Sequence, residues 1–167
     1  AGGVGLAAIQ YAKRVGAEVF ASASVGKHEY LRSLGVRHIS TSRDSDLFGR
    51  EMRNMVGARG VDIVLNSLTS GNYVAESVVL LAPGGRFIEI GKRNIWTKEQ
   101  MRELRDDVVY ETRSLNELLP DEPERMVPML EKLAAQVEAG DVQPLPMEVF
   151  EMRGQLVDAF RFLQIWG

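Results

Sequence analysis

The chain has 167 residues, 45% of them apolar, and a formal charge of -3, enough for a domain-sized core and without a general attraction for nucleic acid. It contains no cysteine and two histidines, His28 and His38, well apart in sequence. Disulfides, a cysteine nucleophile and thiolate-ligated zinc are therefore excluded, and no metal is expected. No apolar run approaches the roughly 18 residues of a membrane span. The chain opens neither with Met nor with a signal-peptide pattern, so it reads as an excerpt of a longer cytoplasmic polypeptide.

The first element is a glycine-rich turn, Ala1-Gly2-Gly3-Val4-Gly5, running straight into a helical pattern with Leu6, Ala8, Ile9, Ala12 and Val15 on one face. Glycines let a backbone turn sharply and approach a pyrophosphate, and the free N–H groups and positive dipole end of the following helix hold the charge. Gly2 and Gly5 fit the second and third glycines of G-x-G-x-x-G, the first falling before residue 1. The backbone of Gly2, Gly3, Val4 and Gly5 is thus the candidate pyrophosphate site. Gly16-Ala17 closes the helix before a buried strand over 18–24. Its carboxyl end would meet the adenosine ribose of a dinucleotide, where an acid normally binds the 2′-hydroxyl of NAD. Instead Ser22, Ser24 and Lys27 offer two hydroxyls and a cation, which suit the 2′-phosphate of NADP. The alternative is a solvated turn over 24–27 with Ser24 as helix cap.

A short helix over 27–34, with Tyr30, Leu31 and Leu34 inward, leads through Gly35 to a strand over 36–39, where His38 is an edge residue. In the polar loop after it, Arg43 could fork onto the 2′-phosphate with Lys27 or pair with Asp44 or Asp46. Residues 46–56 carry Leu47, Phe48, Met52 and Met55 at helical spacing as core contacts. After the break at Gly57-Ala58-Arg59-Gly60, residues 61–68 read as a buried parallel strand. Asn66, Ser67 and Leu68 at its polar end face the ligand crevice as candidate cofactor contacts. A helix with Val74, Val78, Val79 and Leu81 and a Pro83-Gly84-Gly85 turn precede a strand over 86–92. There Gly91 lets a flat ring approach the backbone and Lys92 places an ammonium beside it.

Beyond Arg93 the pattern predicts a charged helix over 99–104, a short strand over 108–110 and a helical turn over 115–119. An amphipathic helix follows over 123–139, with Met126, Met129, Leu130, Leu133 and Val137 inward. A strand over 147–150 and a last helix over 154–165, with Leu156, Phe160 and Leu163 on one face, complete the chain. There are no repeats and no low-complexity tract.

The strings over 2–10 (GGVGLAAIQ), 61–68 (VDIVLNSL), 85–92 (GRFIEIGK) and 144–146 (PLP) resemble the enoyl reductase domain of modular polyketide synthases and animal fatty acid synthase. That family belongs to the zinc-free medium-chain dehydrogenase/reductases. The resemblance implies a doubly wound α/β fold with a mostly parallel Rossmann-type sheet, truncated at its first strand. Residues 1–167 would form the NADP-binding domain, with the family's N-terminal substrate domain outside the chain. It implies NADPH as hydride donor and an α,β-unsaturated acyl thioester on an acyl carrier protein as substrate, with other synthase domains and a second copy as partners. By position, Gly2, Gly3 and Gly5 would form the pyrophosphate turn, and Ser24, Lys27 and Arg43 would hold the 2′-phosphate. Asn66, Ser67, Gly91 and Lys92 would flank the nicotinamide, with Lys92 as proton donor or enolate stabiliser. Where the family has a second candidate, an aspartate, this chain has Ser114 or Asn116, with Glu117 adjacent. Without a central first strand its neighbours lack ladder partners, so the segment is expected to show no turnover alone. The rival readings are a free-standing NADPH quinone or alkenal reductase, and a degenerate reductase kept as a structural module of a megasynthase.

Overall fold

The computed structural model describes residues 2–114, 116 and 123–166. They divide into two compact units, one of residues 1–19 with 127–167, the other Phe20–Met126.

The larger unit runs β1 (Phe20–Ala23), α2 (His28–Ser33), β2 (His38–Thr41), α3 (Ser45–Val56), β3 (Val61–Asn66), α4 (Tyr73–Val79), β4 (Leu81–Glu89), α5 (Lys98–Leu104) and β5 (Val109–Thr112). All pairings are parallel, in two ladders ordered β1-β2 and β3-β4-β5. Helical crossovers are what parallel neighbours require, and parallel strands joined in this way agree with a Rossmann-like doubly wound fold. Among the described residues β1 and β3 each have one ladder partner.

One apolar cluster, of Val74, Val78, Leu81, Phe87 and Met101, joins α4, β4 and α5. A second, of Phe48, Met52, Tyr73 and Leu80, takes Phe20 of β1 and Val61 of β3 against it, so a single core supports both ladders. The local signals agree with the elements. The Asp44 carboxylate accepts from the N–H groups of Asp46 and Leu47 to open α3, and Thr97 with Gln100 forms a reciprocal capping box on α5. Gly49 sits where a Cβ would fall 1.8 Å from Glu76 Oε2, so its absence lets α4 approach α3. At Gly60, φ is +76° and ψ 176°, a conformation essentially reserved for glycine. It starts β3 where the β3–β4 register shifts, Val61 pairing with Leu81 and Ile63 with Arg86.

The smaller unit holds α1 (Gly3–Arg14), α6 (Met126–Glu138, whose first residue falls in the larger unit) and α7 (Leu156–Trp166). Gln10 brackets the backbone of Gln143 with two hydrogen bonds, of 3.0 and 2.9 Å, and Arg14 pairs with Asp141 at 2.8 Å.

Several expectations are corrected. The run over 61–68 is not buried throughout: Ile63 is 59% and Leu65 45% exposed. Val15 and Val79 are exposed, and so are the apolar faces of α6 and α7, including Met129, Leu130, Leu133, Leu156, Phe160 and Leu163. Periodicity sets such a face but not what covers it. Residues 147–150 form no strand, and Met147 and Val149 face solvent. The turn expected over 115–119 lies, apart from Asn116, outside the described residues.

Candidate cofactor site

Helix α1 opens without a side-chain cap and with no acid in its first turn, while Lys13 and Arg14 occupy the last. Its first intrahelical bond runs from the Leu6 N–H to the Gly2 carbonyl at 2.9 Å, so the N–H groups of Gly3, Val4 and Gly5 have no partner within the helix. The positive dipole end is bare. A Cβ on Gly3 would meet only Leu145 Cδ1, at an ordinary 3.5 Å, and its φ lies outside the left-handed region. Packing therefore does not demand glycine there, although alanine would favour the helix by about 1 kcal/mol.

A second group gathers at the carboxyl ends of β1 and β2. The last register pair is Ala23 with Thr41, and the Ser42 N–H donates to the Ala23 carbonyl at 3.1 Å. The segments Ser24–Lys27 and Ser42–Arg43 therefore leave the same end of the same ladder. Ser24 stands at the cap position of a 3₁₀ turn, Val25–Lys27, but its hydroxyl makes no capping bond. Lys27 is buried, Ser22 and Ser24 half-buried and Arg43 exposed. Among the described residues Arg43 forms no ion pair with Asp44 or Asp46, the Asp44 carboxylate being used to cap α3. Close by, the Tyr73 hydroxyl is buried without a hydrogen-bond partner. Burial pushes its pKa up, and the nearby Asp44 and Arg43 charges act in opposite directions, Asp44 raising it and Arg43 lowering it.

The third group lies at the ends of β3 and β4, and here sequence reasoning missed a residue. Glu89 is 1% exposed; its Oε2 accepts from Asn66 Nδ2 at 2.7 Å and its Oε1 from the Gly91 N–H at 2.6 Å. Asn66, itself buried, also closes its own loop, accepting from the Leu68 N–H at 3.2 Å and donating to the Leu68 carbonyl at 3.3 Å. Its amide is thus turned inward. At Gly91 the space of a Cβ is already taken by Glu89 Oε1, 2.7 Å away, and Thr69 Cγ2, 2.8 Å away. Internal packing, rather than room for a ring on that side, explains the glycine. Ser67 and Lys92 are exposed, and Leu68 packs against the second core cluster. Strand alternation was the available signal for Glu89, since it shares the inward face with Phe87. Burial, and then the Glu89 charge, push the Tyr110 phenol above its usual range, while its hydroxyl donates to the Trp96 carbonyl at 2.8 Å. Past β5, Ser114 is half-buried and its Oγ accepts from the Asn116 N–H at 3.3 Å; Glu117 lies outside the described residues.

The family model for zinc-binding dehydrogenases matches residues 3–134. The chain belongs to that family. Among its relatives is the spectinabilin polyketide synthase protein NorB of Streptomyces orinoci, 41% identical over 98% of this chain and 7% of that protein. Among solved structures, CurK enoyl reductase is 45% identical with a TM-score of 0.88, over 99% of this chain and 49% of that one. The nucleotide-binding subdomain of the enoylreductase domain of PpsC from Mycobacterium tuberculosis is 36% identical with a TM-score of 0.76, over 86% of this chain and 81% of that one. Within the zinc-binding dehydrogenases the chain accordingly groups with the enoyl reductase domains of polyketide synthases, and it has the Rossmann-like fold of their nucleotide-binding part. Among the described residues no group of three or more His, Cys, Asp or Glu side chains is placed to hold a metal ion. No helix among the described residues is long and apolar enough to cross a membrane.

Proposed function

We infer that this chain is the NADP-binding part of an enoyl reductase that saturates an α,β-unsaturated acyl thioester carried on an acyl carrier protein of a polyketide or fatty acid synthase. The observation that carries the reading is the bare, acid-free N-terminus of α1, with a glycine at position 3 that the fold itself does not require. It stands in a chain 45% identical to an enoyl reductase.

Taken group by group, the chemistry of these residues suits the parts of a dinucleotide with an extra phosphate. The N–H groups of Gly3, Val4 and Gly5, with Gly2 as the turn, would donate to the diphosphate. Ser22, Ser24, Lys27 and Arg43 would hold the 2′-phosphate, and the absence of an acid from this strand end favours NADP over NAD. Asn66 would act through the shape of its loop, with Ser67, Leu68, the Gly91 backbone and Lys92 bordering the nicotinamide. When bound, NADPH supplies a hydride to the β-carbon of the thioester. The Lys92 ammonium then either stabilises the negative charge on the thioester oxygen or delivers the proton that the α-carbon takes up. Other synthase domains, a second copy and a cytoplasmic setting belong to the same reading.

The test is to mix the full native polypeptide with NADPH and a crotonyl or longer enoyl thioester on the carrier protein. Consumption of NADPH with formation of the saturated thioester is expected. Turnover of quinones but not of carrier-bound thioesters would point to a free-standing quinone or alkenal reductase. Ser114 and Asn116, in place of a carboxylate, favour a second reading, a degenerate structural module; tight NADPH binding with no turnover on several enoyl thioesters would establish it.

A further inference from the structure

Glu89 has no part in that chemistry, yet its side chain is buried at the end of β4. Its carboxylate is almost wholly removed from water and makes no ion pair among the described residues, so its stability rests on hydrogen bonds alone. Those bonds are divided between two elements. Oε2 takes the Asn66 side-chain N–H at 2.7 Å and Oε1 takes the Gly91 backbone N–H at 2.6 Å. Asn66 and Glu89 are register partners across β3 and β4, and the last ladder bond, from the Ile90 N–H to the Asn66 carbonyl, is 2.9 Å. One carboxylate thus extends the strand pairing beyond the sheet and ties the loop after β3 to the loop after β4. The second of these loops carries Lys92.

We propose that Glu89 is a positioning residue: by fixing the Gly91 amide it fixes the backbone from which Lys92 projects, and by fixing Asn66 it holds the Ser67–Leu68 wall at a constant distance from that cation. The role given to Lys92 rests on the enoyl reductase reading, whereas the tie itself does not. A glutamate is required because both partners are donors. Glu89→Gln keeps the volume but must present an N–H to one of them, so one bond becomes an opposition. The exchanged pair, Asn66→Asp with Glu89→Gln, restores the tie between the two strand ends, at the loss of the 3.3 Å bond from the Asn66 amide to the Leu68 carbonyl: the new carboxylate accepts from the glutamine amide and from the Leu68 N–H, and the glutamine oxygen accepts from Gly91.

The experiment compares wild type, Glu89→Gln and the exchanged pair in the full native polypeptide. It measures deuterium uptake at the Gly91 amide, NADPH affinity by cofactor fluorescence, and kcat and KM on a crotonyl thioester. In Glu89→Gln the Gly91 amide should exchange faster and kcat should fall on the order of ten- to a hundredfold, with KM and NADPH affinity little changed; the exchanged pair should regain the Gly91 protection and most of the lost kcat. Wild-type exchange and kcat in Glu89→Gln overturn the proposal. So does an exchanged pair that regains Gly91 protection without regaining kcat. If Glu89→Gln does not fold, the exchanged pair decides alone: Gly91 protection with kcat within about tenfold of wild type supports the proposal, and a larger loss refutes it. If wild type consumes no NADPH with any thioester, the enoyl reductase reading falls, and the exchange rates still decide the tie: protection lost in Glu89→Gln and regained in the pair upholds it, and unchanged protection refutes it.

Discussion

Replacing Gly91 by alanine tests the strand-end geometry directly, and neighbouring glycines supply its controls. Gly91 has no left-handed φ, so alanine carries no torsional penalty there. Its Cβ would, however, stand 2.7 Å from Glu89 Oε1 and 2.8 Å from Thr69 Cγ2. Both must withdraw by several tenths of an ångström, which breaks the 2.6 Å bond from the Gly91 N–H. A hydrogen bond to a charged acceptor is worth about 1.5–3 kcal/mol, so a loss of about 2 kcal/mol is expected. Gly60→Ala should cost more, about 3–5 kcal/mol, because a φ of +76° adds strain to a collision at 2.6 Å with the Ala82 backbone, which cannot swing aside. Gly84, at φ +69° with nothing within 4 Å, carries the torsional cost alone, about 1–2 kcal/mol. Gly26, in open space without a left-handed φ, should stay within about 0.5 kcal/mol. Urea denaturation midpoints of the four variants in one polypeptide give the ranking. A Gly91→Ala variant as stable as Gly26→Ala, or a Gly84→Ala variant less stable than Gly60→Ala, would refute the reasoning.

Lys92→Met keeps the side-chain length and removes the charge; kcat on an enoyl thioester should fall about 100-fold or more with NADPH affinity preserved, and an unchanged kcat would remove Lys92 from the chemistry. Tyr73→Phe deletes a buried hydroxyl that lacks a partner and should raise stability by about 1 kcal/mol in thermal denaturation; a loss of that size would mean the hydroxyl is satisfied. The two-pronged bond from Arg105 and the Gly84 N–H hold the Asp107 carboxyl well below the usual carboxylate range. Its folded pKa lies under the unfolded value near 3.9, so its contribution is complete above about pH 4 and is lost as pH falls below that. Asp107→Asn should therefore flatten the acid dependence of unfolding followed by circular dichroism, and an identical acid limb in both proteins would contradict the assignment.

Much of this architecture is legible in the residues themselves. Helix spacing over 46–56 places Phe48 and Met52 in the core where they are found, Leu31 is inward as its helix pattern requires, and the apolar run at Phe87 lies in a parallel ladder. What periodicity cannot supply is the identity of the covering surface, which is why the apolar faces of α6 and α7 and residues Ile63 and Leu65 are solvent-facing here. Alternation at Met147 and Val149 suits a strand, but a strand also needs a partner, and none is paired to it among the described residues. At the site, the glycine turn and the serine and basic groups are visible in the sequence because their chemistry is local. The Glu89 tie is not, because it exists only once the β3–β4 register sets Asn66 opposite Glu89.

The central claim, a nucleotide carrying a 2′-phosphate gripped by Lys27 and Arg43, is tested most directly by titrating NADPH against NADH into the full native polypeptide and its Lys27→Ala and Arg43→Ala variants. NADPH should bind more tightly than NADH, and each substitution should weaken NADPH alone by about 1–3 kcal/mol, roughly five- to 150-fold in Kd. Equal affinities for the two cofactors, or equal losses for both in the variants, would contradict it.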